Sequence, residues 1–334
     1  MSEALLKVEN LTTVFDMPGA PLLAVNDVSF EIAPGETLGL VGESGCGKSV
    51  TAFSIVRLVQ PPGRVKSGRI NFRGRDLLAL SEADMRGVRG AGIGVIFQEP
   101  AAALNPVMRV GAQIAESLRA HGLASRQEAR ARAIDLLRAV RIDNPEVRVD
   151  DYPHELSGGM LQRVMIATAL ACRPALVIAD EPTTALDATV QAQVLALLRD
   201  LKREFDLSFL LITHDLGVVA NNTDRVAVMY AGQIVEQGLV HDVLSRPLHP
   251  YTQGLLASIP GGKPGSRLRA IDGMVPSLSA LPPGCPFAPR CQQRLEVCGH
   301  TVAELVEIEP GHAVRCHLHS PHHTASVESI DAAR

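Results

Sequence analysis

The chain reads as an α/β protein built on a largely parallel sheet, with a helical insertion and a small, irregular C-terminal part. Three observations carry that reading. Short apolar runs alternate with helical patterns from about residue 4 to 240. Strand-like runs stop between Val110 and Ala171, and after Arg246 proline and glycine become frequent while four cysteines gather near the end. At 334 residues there is room for one large core, or for a large and a small one.

The elements follow in order. Thr37–Val41, residues 92–97, residues 176–179, Ser208–Thr213 and Arg225–Tyr230 have the length and composition of buried strands bounded by glycine or polar residues. Several are followed by helix signals, which predicts parallel strands covered on both faces. In the helical stretch, Ser125-Arg-Gln-Glu128 is a capping box, and Ala129, Ala133, Leu136, Leu137 and Val140 follow at helical spacing. The expected organisation is a main domain over residues 1–250, with a helical subdomain at about 99–171, then a C-terminal extension over 251–320. Residues 321–334 are small and polar and are expected to form a disordered tail.

Bulk properties exclude some classes. Lys and Arg total 32 against 36 Asp and Glu, a formal net charge of -4, so nucleic acid is not an expected partner. Aromatic residues make up 3% and tryptophan is absent, which argues against stacking platforms for single strands. No stretch approaches the roughly 20 apolar residues that span a bilayer, and the N-terminus lacks a signal-peptide pattern. A cytoplasmic protein is expected, serving a membrane only from its side.

Gly42-Glu43-Ser44-Gly45-Cys46-Gly47-Lys48-Ser49 matches the phosphate-loop pattern G-x-x-x-x-G-K-[ST], with an apolar strand before it and a helical pattern from Val50 after it. Glycines let backbone N–H groups converge on phosphates, and the following helix turns its positive end to them. Lys48 is expected to contact the β- and γ-phosphates of ATP, and the Ser49 hydroxyl to ligate Mg²⁺. Cys46 sits at a free position of the loop, where alkylation would block nucleotide by bulk. A second apolar run, from Leu176, ends in Asp180-Glu181. Acids at the carboxyl edge of such a sheet lie where its ligands bind. Asp180 suits Mg²⁺ and Glu181 suits polarising the attacking water.

Leu156-Ser157-Gly158-Gly159-Met160, about 20 residues before Asp180, completes a set that resembles the ABC ATPases over residues 4 to about 245. The resemblance implies a RecA-like P-loop core with a mixed, mainly parallel sheet and an N-terminal antiparallel β part. It assigns Phe15 to stacking on adenine, and Gln98 to Mg²⁺ and to sensing the membrane partner. Residues Ala185-Leu186-Asp187 match the loop that crosses the dimer interface, and His214 matches the γ-phosphate histidine. Ser157, Gly158 and Gly159 would then meet ATP held by a partner subunit, so each site is composite. Met160 stands where glutamine is commonest in the family, a departure also found in peptide importers.

Residues 98–106, running from Gln98 to Pro106, and Arg246-Pro-Leu-His-Pro-Tyr-Thr252 look like the ATPases of dipeptide and oligopeptide importers. That likeness implies a second, related ATPase subunit as heterodimer partner, two membrane permease subunits, an extracytoplasmic binding protein, and a place on the cytoplasmic face of the membrane. Nickel importers share the architecture, and a soluble, non-transport ABC ATPase is the alternative of another class. Cys285, Cys291, Cys298 and Cys316 lack the tight C-x₂₋₄-C knuckles of structural zinc sites and suit a cuboidal cluster at least as well. The resemblance implies a [4Fe–4S] cluster there, making the extension a small metal-binding domain. Zinc stays open, since His300, His312, His317 and His319 lie nearby.

Overall fold

The computed structural model describes residues 3–184, 186–258 and 271–319. Ala185 and the expected tail over 321–334 lie outside the described residues. In chain order the strands are β1 Leu6–Phe15, β2 Leu22–Ile32, β3 Thr37–Val41, β4 Gly63–Phe72, β5 Arg75–Asp76 and β6 Ile93–Ile96. They continue with β7 Leu176–Asp180, β8 Ser208–Thr213, β9 Arg225–Tyr230, β10 Gln233–Leu239, β11 Val306–Glu309 and β12 His312–Val314. Two compact units gather them, one from the N-terminal residues to Leu6, Glu31–Thr37 and Asn71–Ile212, the other from Lys7–Phe30, Leu38–Ile70 and the described residues after Ile212.

In the first unit β6, β7 and β8 pair in parallel, with Ile93–Ile96 opposite residues 176–179 and β7 in turn opposite residues 208–212. Every residue of β7 and β8 is buried, which is why both read as uninterrupted apolar runs. Around them stand the helices Val110–Ala120, Arg126–Ala139 and Gly158–Leu170, the last packing on both of the others and on β6. The capping box is present in full: Ser125 Oγ accepts from Glu128 N, and the Glu128 carboxylate accepts from Ser125 N at 2.8 Å. Ala129, Ala133, Leu137 and Val140 are buried as their spacing predicts, and Leu136 is half-buried.

In the second unit β2, β1 and β4 neighbour one another in that order. β3 pairs with β9 in parallel, and β9 with β10 antiparallel, so this sheet is mixed. β12 then adds to β10, with Glu236 opposite Val314, and β11 adds to β12. These last two strands come from the C-terminal extension and have no apolar run to announce them; all but one of the residues of β11 are exposed. The extension also shares its core. Val41, Val226, Val228, Tyr230, Tyr251 and Phe287 form one cluster, against which Cys285 and Cys291 pack.

The stretch from Arg246 to Thr252 is fixed by buried hydrogen bonds. Glu236, fully buried, accepts from Leu248 N (2.8 Å) and His249 N (2.9 Å), and its carboxylate meets His312 Nε2 at 2.9 Å. His249 Nδ1 accepts from Tyr251 N at 3.0 Å, which caps the helix Pro250–Ala257. Burial, followed by the charge of His319, drives the His249 imidazole down to about 3, so it remains a neutral acceptor.

Candidate nucleotide site

The phosphate loop leaves β3, a strand buried at every residue, and enters the helix Lys48–Ile55. Its N-cap is Gly47, with φ of 106° and no side-chain cap, so the first turn is left to backbone N–H groups. A Cβ at Gly47 would strike the Ala24 carbonyl, and one at Gly42 would strike the Met229 carbonyl. Only glycine fits either place. Lys48 is 5% exposed, and its ammonium donates to the carbonyls of Gly42 (2.8 Å) and Glu43 (3.1 Å). The positive charge is thus held over the loop by main-chain oxygens, the arrangement a polyphosphate requires of it. Ser49 is half-buried in the helix's first turn and Val50 follows, also half-buried.

Cys46, at the free position of the motif, turns out to be inside the loop. It is fully buried, and burial pushes its thiol up, so the reactive thiolate is scarce and alkylation should be slow. Glu43 was expected as one more loop residue and has a larger part. Its backbone N–H donates to Tyr251 Oη at 2.9 Å, and its carboxylate accepts from Arg290 Nη1 at 2.7 Å and Nη2 at 3.1 Å. Sequence reasoning missed Arg290 and Tyr251. The available signals were weak: Tyr251 lies in the stretch opening the extension, and Arg290 precedes Cys291.

In the other unit β7 ends at Asp180, 1% exposed, followed by Glu181 with φ of 47°. A left-handed glutamate costs about 1–2 kcal/mol and signals a constrained site. The Glu181 carboxylate accepts from Gln98 Nε2 at 3.2 Å and from Thr184 Oγ1 at 2.7 Å, while Glu181 N donates to Ile212 O. Glu181, singled out at the strand end, and Gln98, assigned by the family resemblance, therefore meet.

Ser157 is the N-cap of the helix Gly158–Leu170, its Oγ accepting from Met160 N. Ser157 and Gly158 are exposed, and a Cβ on Gly158 would meet nothing within 4 Å. The helix thus begins at Gly158 and presents an uncovered positive end. Asp187 caps the helix Ala188–Phe205, accepting from Thr189 N and Val190 N at 3.0 Å each. In the second unit, His214 is exposed after β8, and Phe15 closes β1 half-buried, near the position a Gly63 side chain would take.

The four C-terminal cysteines are free thiols. Cys285 N donates to Cys298 O at 2.9 Å, and burial pushes up the thiols of Cys285, Cys291 and, to about 12, Cys316. The charges of Cys285, Cys291 and Cys298 each push Cys316 further in the same direction. Among the described residues, no three His, Cys, Asp or Glu side chains converge to hold a single metal ion. Also among them, no helix is long and apolar enough to cross a membrane.

Comparison with known proteins gives these features a family. Residues 25–184 match the ABC transporter family, and residues 235–298 match the oligopeptide/dipeptide transporter C-terminal region. The chain is 52% identical to the probable peptide ABC transporter ATP-binding protein y4tR of Sinorhizobium fredii, over 94% of this chain and 95% of that protein. It is 48% identical to the dipeptide transport ATP-binding protein DppD of Bacillus subtilis, over 99% of both. Among solved structures it resembles the dimeric ATP-binding cassette MJ0796 bound to ADP and Pi, with a TM-score of 0.64 at 27% identity over 70% of this chain and 98% of that one. The chain belongs to the ABC transporter family, among the ATP-binding proteins that carry the oligopeptide/dipeptide transporter C-terminal region.

Proposed function

We propose that this chain hydrolyses ATP to power a peptide importer, as one of two ATPase subunits beneath two permease subunits that receive cargo from an extracytoplasmic binding protein. The observation that carries the ATPase reading is the buried Lys48 ammonium, held over a glycine-shaped loop by the carbonyls of Gly42 and Glu43. The names of the relatives support peptide as cargo. The partner ATPase is a related but different chain, and the subunit works at the cytoplasmic face of the membrane.

Each site residue has a role in this reading. The N–H groups of residues 42–50 and the Lys48 ammonium hold the phosphates, and Phe15 stacks on the adenine. Ser49, Asp180 and Gln98 suit Mg²⁺, which neutralises phosphate charge when bound. Glu181 polarises the attacking water, and its hydrogen bond from Gln98 links that acid to the residue expected to sense the permease. His214 addresses the γ-phosphate. Ser157, Gly158 and Gly159 offer a helix N-terminus to the partner's ATP, and Asp187 lies on the interface between the subunits. Glu181→Gln keeps the shape and removes the base. Hydrolysis by the assembled transporter should fall by about 10²–10⁴ with ATP still bound, and an unchanged rate would overturn the role of Glu181.

The domain division follows the same reading: a nucleotide-binding domain to about residue 250, then an extension whose four cysteines hold a [4Fe–4S] cluster. A single zinc ion draws its thiolates to about 2.3 Å from one centre, whereas a cuboidal cluster spreads four ligands over separate irons. The reading of a cluster here rests on the four-cysteine spacing and on the match of residues 235–298 to the oligopeptide/dipeptide transporter C-terminal region. A brown preparation under anaerobic conditions is expected. A colourless one with stoichiometric zinc would refute the cluster.

A further inference from the structure

We propose that the C-terminal extension is a positioning element of the ATP site, acting through Arg290 and Tyr251 on Glu43 of the phosphate loop. The proposal rests on the reading of residues 42–49 as that loop. All of the residues concerned belong to one compact unit.

The contact has the features of a built one. The Arg290 side chain is 4% exposed, and all five N–H donors of its guanidinium have an acceptor. Nε donates to Asp272 O (3.1 Å), Nη1 to Glu43 Oε2 (2.7 Å) and Tyr230 Oη (3.4 Å), and Nη2 to Glu43 Oε1 (3.1 Å) and Ile271 O (3.4 Å). The guanidinium also lies 5.9 Å from the Tyr230 ring centre and 6.0 Å from that of Phe287. Such a fork-to-fork pair fixes orientation as well as distance. On the loop side, Tyr251 Oη takes the Glu43 N–H at 2.9 Å, so one residue is held by main chain and side chain together. Glu43 is also the residue whose carbonyl holds the Lys48 ammonium, at 3.1 Å. A shift of Glu43 therefore moves an oxygen that positions the phosphate-binding lysine.

Two consequences follow. Residues 271–291 set the resting shape of the loop, and by reciprocity ATP on the loop must steady those residues. The extension also carries Cys291 next to Arg290, so whatever occupies the thiols is one residue from the clamp. Arg290 and Tyr251 are positioning residues, since neither is placed against the nucleotide.

The test uses the full chain and a fluorescent ATP analogue. Arg290→Gln should weaken binding about tenfold, which corresponds to about 1.4 kcal/mol, and Arg290→Lys should recover only part because it lacks the fork. Tyr251→Phe keeps the ring and should weaken binding less, by about threefold. Glu43→Gln removes the pair from the loop side should Arg290→Gln not fold, and should weaken binding comparably. The double variant Glu43→Gln with Arg290→Gln should be no worse than the more affected single one. Hydrogen exchange over residues 286–292 should slow on adding ATP to the wild type and not to Arg290→Gln. Folded Arg290→Gln and Glu43→Gln variants that bind ATP as tightly as wild type would overturn the proposal. Lys48→Ala is the control for the underlying reading: if it too binds normally, the loop assignment fails instead.

Discussion

The phosphate loop and the start of the helix Gly158–Leu170 are both helix N-termini preceded by glycine or serine, yet they are built in opposite ways. At the loop, Lys48 is 5% exposed, Gly42 and Gly47 are each packed against a carbonyl, and Glu43 is tied to Tyr251 and Arg290. At the other, Ser157 and Gly158 are exposed and the space beside Gly158 is open. The first is held in place by its own chain. The second has the same chemistry, backbone N–H groups at a positive helix end, with nothing from this chain packed on Gly158. This difference agrees with the composite site proposed above: a rigid cradle for the subunit's own ATP and an accessible helix end for its neighbour's.

Alanine placed at each glycine breaks the comparison most strongly. Gly47→Ala adds a left-handed penalty of about 1–2 kcal/mol and a clash worth about 1–3 kcal/mol. Thermal unfolding should show a large loss and ATP binding should disappear. Gly158→Ala meets no neighbour, so the melting temperature should hold or rise slightly, since alanine is the better helix former, while hydrolysis in the assembled transporter falls. Equal loss of stability in both variants would erase the distinction.

Acid sharpens it on the extension's side. His249 titrates near 3 in the folded chain against about 6.5 when unfolded. Below pH 6.5 the unfolded state takes up the extra proton, so stability is intact above that pH and falls as pH drops toward 3, by at most about 1.4 kcal/mol per unit. Urea unfolding at stepped pH should show this slope, reduced in His249→Asn, whose amide oxygen can still accept from Tyr251 N. A slope unaffected by that change would remove His249 from the account.

Much of the fold was legible because its strands announce themselves. β7 and β8 are buried at every residue and so appear as apolar runs. The Ser125–Glu128 box and the phosphate loop are local patterns with local causes, and both are where the sequence places them. The Gln98–Glu181 hydrogen bond joins the strand-end acid to the glutamine that the family resemblance assigns to the same site. What escaped depends on distant partners. Glu43 and Arg290 are 247 positions apart, and no spacing rule links them. β12 gains its strand character from pairing with β10, and β11 from pairing with β12, both being too short, at three and four residues, to announce themselves. The burial of Cys46 follows from packing against the loop's own turn, which composition does not reveal.

The central claim is that this chain's loop holds its own ATP while its Ser157 helix serves another's. Ser157→Arg tests it most directly, measured as ATP affinity of the isolated subunit and hydrolysis by the assembled transporter, beside Lys48→Ala. The account predicts that Ser157→Arg binds ATP with wild-type affinity but fails in hydrolysis, while Lys48→Ala loses ATP in the isolated subunit. Loss of ATP affinity in isolated, folded Ser157→Arg would place both halves on one nucleotide within the chain and contradict the claim.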